Sequence, residues 1–255
     1  MPDHARTTTA ALLIRHPTVE MVTPTYQSDD ETLDGGVCRG MASRWIGAQL
    51  LGGKNVAQFR ILANNTDGKV NMEFVRYQAA FNAVGKEFDS ACVQYENLRA
   101  EADRLKGVFN GTLEKGWFEW MPTAQSVADA EEAALKAEKT LLASVSILYR
   151  YMSGGLHEVK KVTDVDYTTF EQALHTHLTG NGFYYIGLGG THAIAFYIAQ
   201  AGECLFIDAN TGEWKSPDLA TLSTFFSDYM SSLYLTEYAG KRVDIYHLPH
   251  MLDAT

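Results

Sequence analysis

The chain has 255 residues, enough for one large domain or two small ones, and its 46% hydrophobic and 20% charged residues are typical of a globular protein. This composition excludes a disordered or fibrous class. The formal net charge of −10 disfavours nucleic acid as a partner, so no nucleic-acid binding is expected, and a basic surface on a substrate protein fits better.

Sequence signals for membrane insertion and disulfides are missing. No apolar run approaches the roughly 20 residues of a transmembrane helix, and the N-terminal ALLIR stretch is too short for the apolar region of a signal peptide. The three cysteines, Cys38, Cys92 and Cys204, are widely spaced and contain no CxxC pair, so neither a disulfide framework nor a zinc motif is predicted. We expect a protein without a cofactor or an integral membrane segment that works where thiols stay reduced.

The first part of the chain is predicted to be irregular and then helical. Residues 1–30 are Thr-rich, contain prolines and end in acids, which predicts a poorly structured leader or arm. A helix is predicted from Cys38 to the pair Gly52–Gly53, on the apolar positions Met41, Trp45, Ala48 and Leu51.

The middle of the chain is predicted to form long helices. Apolar residues recur every seven positions between Phe74 and Leu105, which predicts one long helix or two helices broken near Gly85. These helices either form a coiled-coil docking surface or, as we favour, pack on the domain core. A helix is also predicted after Pro122, and its expected buried face contains Leu135, Leu142, Val145, Tyr149 and Met152. Another is predicted from near Thr168 to residue 180.

The C-terminal part of the chain predicts an antiparallel sheet. The segments FYYIGL, THAIAFYIA, ECLFID and RVDIYHL are rich in β-branched and aromatic residues, and short turns join them. A helix opened by Pro217 is predicted between the last two, with Leu219, Leu222, Phe226 and Leu233 facing inward. Because helices come first and strands later, the fold class is α+β.

Cys38 stands at the start of a predicted helix, directly after a loop with two glycines. The positive end of the helix dipole and the unpaired amides of the first turn favour a thiolate, which is the nucleophilic form of cysteine. The same amides can stabilise an oxyanion on an attacked carbonyl. A buried structural cysteine is the alternative interpretation of this position.

A histidine and an aspartate are predicted to meet at the end of the sheet. His192 opens one strand and Asp208 closes the next, sixteen residues later, which is the length of a strand, a tight turn and a strand. Two antiparallel strands joined in this way bring those ends side by side. The carboxylate would then fix the tautomer of the imidazole, and a helix packed on the sheet would bring the thiol to the other ring nitrogen.

The motifs GVCRGMASRW, GGTHAIAF and LFIDANTGEW, in this order, resemble the YopT/AvrPphB-type family of bacterial effector cysteine proteases. The resemblance covers the Cys38 helix and the sheet from about residue 183 to residue 214, and leaves residues 54–180 unmatched. It implies a papain-like catalytic domain over residues 31–255. It also implies Cys38 as nucleophile, His192 as general base and acid, and Asp208 as the residue that orients the imidazole. The family's turn after the aspartate is matched by Asn210, Gly212 and Trp214.

The sequence departs from papain-like sites before the nucleophile. Such sites place a Gln or Asn side chain a few residues ahead of the cysteine as an oxyanion donor. Here no amide side chain occurs between Gln27 and Cys38. We therefore expect Thr32 or the backbone amide of Asp34 to act as the second donor. The departure leaves room for a deamidase or an acyltransferase that uses the same cysteine and histidine.

Acidic residues cluster just before Cys38. The stretch SDDETLD is interpreted either as an acidic rim that attracts a basic substrate segment or as a solvated loop. The residues expected to contact substrate are Asp29, Asp30, Glu31, Asp34 and Trp214.

Together these features predict a cysteine protease that acts on a protein substrate. The resemblance implies a bacterial virulence effector that is cytoplasmic before export, leaves by a secretion system without a standard signal peptide, and acts in the cytosol of a host or target cell. The alternatives are a deamidase or acyltransferase on the same scaffold, and a binding module whose catalytic residues are vestigial.

Overall fold

The structure, a computed structural model, describes residues 2–30, 33, 36–64, 68–112, 121–153, 160–166, 176–178, 180–199 and 202–249. Its helices are α1 (Pro2–Arg15), α2 (Cys38–Leu51), α3 (Gly53–Ala63), α4 (Met72–Phe109), α5 (Ala124–Met152), α6 (Leu219–Leu233) and α7 (Leu235–Tyr238), with a 3₁₀ turn at Gln27–Asp29. Its strands are β1 (Glu20–Pro24), β2 (Lys160–Asp166), β3 (Gly182–Leu188), β4 (His192–Ile198), β5 (Cys204–Asp208), β6 (Gly212–Ser216) and β7 (Arg242–Pro249).

All seven strands form one antiparallel sheet with the order β1-β6-β5-β4-β3-β7-β2. Alternate residues of a strand point to opposite faces, and the central strands are buried on both. On one face Phe196 and Phe206 pack against Phe226 of α6. On the other face Phe183 contacts Trp45 of α2. The residues of β3, β4 and β5 are therefore almost continuously apolar rather than alternating, as a sheet covered on both faces requires.

The predicted α+β class is confirmed. The helix that begins at Cys38 packs on β4 and β5 of an antiparallel sheet, and those two strands carry His192 and Asp208. The predicted helix after Pro217 is also confirmed, as is the burial of Leu222 and Phe226.

The prediction that residues 1–30 are poorly structured is wrong. Helix α1 packs against α6, with Leu12 fully buried in the core, and β1 pairs with β6 at one edge of the sheet. The apolar signal of α1 is confined to a few positions among threonines, and β1 is a five-residue edge strand that ends in a proline, so neither pattern is long enough to stand out. The role of this segment as a leader or arm, and the catalytic domain over residues 31–255, stay predictions.

The long helical region forms without a break at Gly85, so the single-helix alternative is confirmed. The described chain divides into two compact units, one of residues 1–81 with 149–255 and one of residues 82–148. Within the second unit, α4 and α5 are joined by an ion pair between Lys106 and Glu131. Among the described residues, no helix has the length and apolar character needed to cross a bilayer.

The predicted buried face of α5 is wrong at two positions. Leu135 and Leu142 are 52% and 60% exposed, whereas the small residues Ala134 and Ala137 are buried. The buried face of this alanine-rich helix therefore contains alanines, whereas the neighbouring leucines Leu135 and Leu142 are exposed. The helix predicted from near Thr168 lies largely outside the described residues.

Candidate active site

Cys38 is the first residue of α2, and its surroundings hold the start of the helix in place. The backbone amide of Gly40, in the first turn, donates to Oε1 of Gln78 at 2.8 Å. Gly40 has no room for a larger side chain, because a Cβ there would lie 2.8 Å from the backbone nitrogen of Gln78. The Cys38 side chain is buried, and its Sγ lies 3.6 Å from the carbonyl oxygen of Thr191, the residue before β4.

His192 and Asp208 meet as the strand register predicted. The Nε2 atom of His192 lies 3.0 Å from Oδ1 of Asp208, and both side chains are buried. The register aligns Ile194 with Asp208, so the histidine at the start of β4 lies just beyond the end of β5. The predicted neighbourhood of the two residues is confirmed.

Asp208 is fully buried and accepts four hydrogen bonds. Oδ1 receives Nε2–H of His192 at 3.0 Å and the backbone amide of Asn210 at 2.8 Å. Oδ2 receives the hydroxyl groups of Tyr229 at 2.8 Å and Tyr234 at 2.7 Å. A carboxylate can be buried when donors replace its hydration shell, and four donors to two oxygens do so here.

These contacts determine which nitrogen of His192 faces the thiol. An ionised Asp208 only accepts hydrogen bonds, so Nε2 of His192 carries a proton. The other ring nitrogen, Nδ1, is therefore the one left to face Cys38, whose interaction with His192 helps to raise the pKa of the imidazole. Cys38, His192 and Asp208 thus lie in a line, with the imidazole between the thiol and the carboxylate.

Burial and charge oppose each other in the pKa values of this line. Burial by itself would raise the pKa of Cys38, but the interaction with His192, chiefly its charge, outweighs burial and brings the pKa below the ordinary thiol value. Burial would lower the pKa of His192, but Asp208 and then Cys38 raise it well above its ordinary value. The pKa of Asp208 is lowered, because His192 and the hydroxyl of Tyr234 overcome the effect of burial. These directions favour a thiolate beside an imidazolium.

The turn between β5 and β6 connects this line to the N-terminal segment. The backbone amide of Thr25 donates to Thr211 O, and that of Gln27 donates to Ala209 O, so the chain after β1 continues along the turn. Gly212 makes this approach possible. Its φ is +135°, and a Cβ at this position would lie 2.2 Å from Thr23 O.

Gln27 belongs to the site, although the sequence favoured Thr32 or the backbone amide of Asp34 as the oxyanion donor. Its Oε1 accepts the backbone amide of Val37 at 2.6 Å, and its Nε2 donates to Oδ1 of Asn210 at 2.7 Å. Because an amide N–H can only donate, Val37 fixes which end of the Gln27 side chain carries the oxygen. Gly36, with φ +70°, leaves room for that oxygen. Gln27 precedes Cys38 by eleven residues in the sequence. It could be recognised as a donor only after the pairing of β1 with β6 had brought the segment after β1 to the site.

A cleft of about 430 Å³ opens over these groups. Its lining includes Gln27, Cys38 and His192, and the acids Asp30 and Glu237 also line it. Of the described residues, none forms a group of three or more His, Cys, Asp or Glu side chains placed to hold a metal ion.

The residues predicted to contact substrate have different outcomes. Asp30 lines the cleft, and its Oδ2 accepts the backbone amide of Val70 at 2.9 Å, so this acid also fastens the loop. The prediction for Trp214 is wrong, because its indole is fully buried in the core between Phe206 and Phe225. The side chain of Asp29, all of Glu31 and Asp34, and the expected oxyanion donor Thr32 lie outside the described residues.

Comparisons with protein families, curated proteins and solved structures identify a structural similarity. No protein-family model matches the chain, and no curated protein matches it. Among solved structures, the chain is similar to the Pseudomonas avirulence protein AvrPphB, with 13% sequence identity and a TM-score of 0.46, over 89% of this chain and 95% of that chain. At this identity and score the likeness carries no argument about chemistry, which here depends on the side-chain geometry.

The opposite pKa directions of the cysteines predict selective alkylation. The pKa of Cys38 is lowered, whereas burial raises the pKa of Cys92 and of Cys204. Iodoacetamide at pH 6–7 should therefore modify Cys38 first, and His192→Gln should slow that reaction, because the largest effect that opposes burial of the thiol is then lost. Site-resolved mass spectrometry over a pH series measures both effects. Equal rates at the three thiols would contradict the assignment of Cys38 as the reactive residue.

Proposed function

We propose that the chain is a cysteine peptidase in which Cys38 is the nucleophile, His192 the general base and acid, and Asp208 the residue that orients the imidazole. The observation that carries the proposal is the buried line of thiol, imidazole and carboxylate, which opens on a cleft. Burial alone would leave the thiol protonated and the imidazole neutral, so the opposite directions of their pKa values require the charge pair.

The proposed reaction uses the thiolate–imidazolium pair in two steps. The sulfur of Cys38 attacks the carbonyl carbon of a peptide bond and forms a tetrahedral intermediate with a negatively charged oxygen. Collapse of this intermediate breaks the C–N bond, His192 gives its Nδ1 proton to the leaving amine, and a thioester remains on Cys38. His192, now neutral, takes a proton from water as the water oxygen attacks the thioester; breaking of the C–S bond releases the acid product and restores the thiolate–imidazolium pair.

Two groups are suited to stabilise the oxyanion. Cys38 is the first residue of α2, so its backbone amide has no acceptor within the helix. The side-chain amide of Gln27 lines the same cleft, with Nε2 oriented by the contacts of Oε1. We propose these two donors in place of Thr32 and Asp34, because preorganised donors stabilise an oxyanion most when neighbouring groups already fix them.

The proposed substrate is a protein with a basic segment near the bond that is cut. Asp30 and Glu237 line the cleft, and we propose that Asp29, Glu31 and Asp34 also contact the basic segment. The motif resemblance to effector proteases further supports a bacterial effector that is exported without a standard signal peptide and acts on a protein in a host or target cell.

The first experiment compares new protein termini produced by the wild type and by Cys38→Ala. Incubation with a proteome should produce N-termini with the wild type that are absent with Cys38→Ala.

Asp208→Asn should lower the rate at which these N-termini appear by orders of magnitude, on the order of 10⁴ in other triads. Intact mass of the substrate separates this outcome from a deamidase, which changes mass by about one dalton. Identical termini with the wild type and Cys38→Ala would contradict the peptidase.

The acidic rim predicts a salt-dependent preference for basic substrates. Neutralising Asp29, Asp30 and Glu31 to their amides should raise KM for a Lys/Arg-rich peptide more than it changes kcat, because the loss is in binding. The wild type should lose its preference as salt shortens the Debye length from ~10 Å at 0.1 M to ~3 Å at 1 M. A matched control neutralises three acids of α5 outside the cleft lining, Asp129, Glu132 and Glu138. If wild type and rim variant respond to salt identically, the rim is a solvated loop.

A further inference from the structure

Tyr234 is the residue directly after α6, and its hydroxyl lies where the parts of the site meet. The side chain is buried, and the backbone amide is held by Met230 O at the end of the helix. The hydroxyl lies 2.7 Å from Oδ2 of Asp208 and 3.2 Å from Nε2 of His192. It is also 2.7 Å from Nδ2 of Asn210. One phenol thus contacts the histidine, the carboxylate and the turn after the carboxylate.

The single proton of the hydroxyl determines the direction of these bonds. Asp208 only accepts, so Tyr234 donates to it, and the oxygen of Tyr234 accepts the Nδ2–H of Asn210. The Oδ1 atom of Asn210 is then free to accept Nε2–H of Gln27, and Oε1 of Gln27 accepts the amide of Val37. Every bond in this chain has one allowed direction, because it begins at a backbone N–H and ends at a carboxylate.

We propose that Tyr234 is a positioning residue that couples the charge pair to the oxyanion donor, by holding Asn210 so that Asn210 in turn orients the side-chain amide of Gln27. The inference rests on the proposed peptidase function and adds a residue to it. Tyr234 itself neither attacks substrate nor exchanges a proton with it, and its effect reaches the substrate through Gln27.

Tyr229 provides a matched control within the same site. Its hydroxyl donates to the same oxygen, Oδ2 of Asp208, at 2.8 Å, and its ring is buried in the same core. Its hydroxyl also contacts Thr211 Oγ1 at 2.7 Å and interacts with the hydroxyl of Tyr234, and among the contacts that the structure describes it reaches neither His192 nor Asn210. Removing either hydroxyl takes one donor from the carboxylate, but only Tyr234→Phe also releases Asn210.

Among the described residues, further charged and titratable groups near the pair lie on α2, β3 and α7. Arg39 of α2 also lowers the pKa of Cys38, and its contribution is smaller than that of His192. Tyr185 of β3 and Tyr238 of α7 have raised pKa values, owing first to burial, and are neutral hydroxyls in any ordinary assay. Glu237 lines the cleft. None of these groups is changed by the substitutions below.

The test uses two chemical probes that separate thiolate reactivity from oxyanion stabilisation. Iodoacetamide alkylates the Cys38 thiolate by displacement at carbon and forms no oxyanion. p-Nitrophenyl acetate acylates the same sulfur through a tetrahedral oxyanion, forming a thioester and releasing p-nitrophenolate, with no proton required by the leaving group. The ratio of the acylation rate to the alkylation rate at Cys38 therefore reports oxyanion stabilisation in the full chain, and needs no natural substrate. Cys38→Ala gives the background at the other cysteines.

Tyr234→Phe and Asn210→Ala should each lower this ratio by about 10- to 100-fold, as expected when a donor is displaced by about 1 Å. Tyr229→Phe should leave the ratio near the wild-type value. In a Gln27→Ala background, Tyr234→Phe should have no further effect on the ratio, because the residue that it positions is already gone. Thermal melting of each variant reports whether it folds, and the comparison of the two phenylalanine variants holds even if both lose stability.

Two results separate the failure of this inference from the failure of the proposed function. If Gln27→Ala lowers the ratio but Tyr234→Phe does not, or if Tyr234→Phe lowers it equally in both backgrounds, the coupling is overturned and the peptidase stands. If Gln27→Ala leaves the ratio unchanged and Cys38 alkylates no faster than Cys92, the proposed site fails and the coupling fails with it.

Discussion

The buried charge of Asp208 is the constraint on which the rest of the site depends. A carboxylate with no exposure to water is stable only if donors replace its hydration, and its four donors come from β4, from the turn after β5 and from the end of α6. The carboxylate that they stabilise requires a proton on Nε2 of His192 and so orients the imidazole. They also hold α6 against the sheet, since two phenols of that helix end point at one oxygen. The hydrogen bonds to Asp208 therefore both pack α6 on the sheet and orient the groups of the candidate site.

The lowered pKa of Cys38 follows from this arrangement more than from the position of Cys38 at a helix start. The helix dipole favours a thiolate, but burial opposes it, and His192 decides the direction of the pKa. His192 can do so because its own pKa is raised, first by the charge of Asp208 and then by that of Cys38. From the same carboxylate, hydrogen bonds lead through Tyr234 and Asn210 to Gln27, so the segment after β1 belongs to the site as much as the strands that carry His192 and Asp208 do.

The sequence predicts the parts of the site that depend on local pattern. Strand length and turn length were enough to bring His192 beside Asp208, and the glycine-flanked helix start was enough to single out Cys38. Gln27 escaped prediction because β1 is short, lies at the sheet edge and gives no periodic signal, while its pairing with β6 is non-local. Trp214 was wrongly predicted to contact substrate because the prediction relied on a local motif match. A motif match indicates that a residue occupies a turn, but not whether it faces the cleft or the core, and this indole fills the core.

The most direct test of the central claim is the protonation state of His192, measured by ¹⁵N NMR of histidine-labelled protein, with His192→Gln used to assign the signal. At pH 7 both ring nitrogens should carry a proton, because Asp208 and the Cys38 thiolate raise the pKa of the imidazole. In Cys38→Ala the pKa should fall, since one of the two charges that raise it is gone. A neutral imidazole at pH 7 in the wild type, with a pKa unaffected by Cys38→Ala, would contradict the thiolate–imidazolium pair.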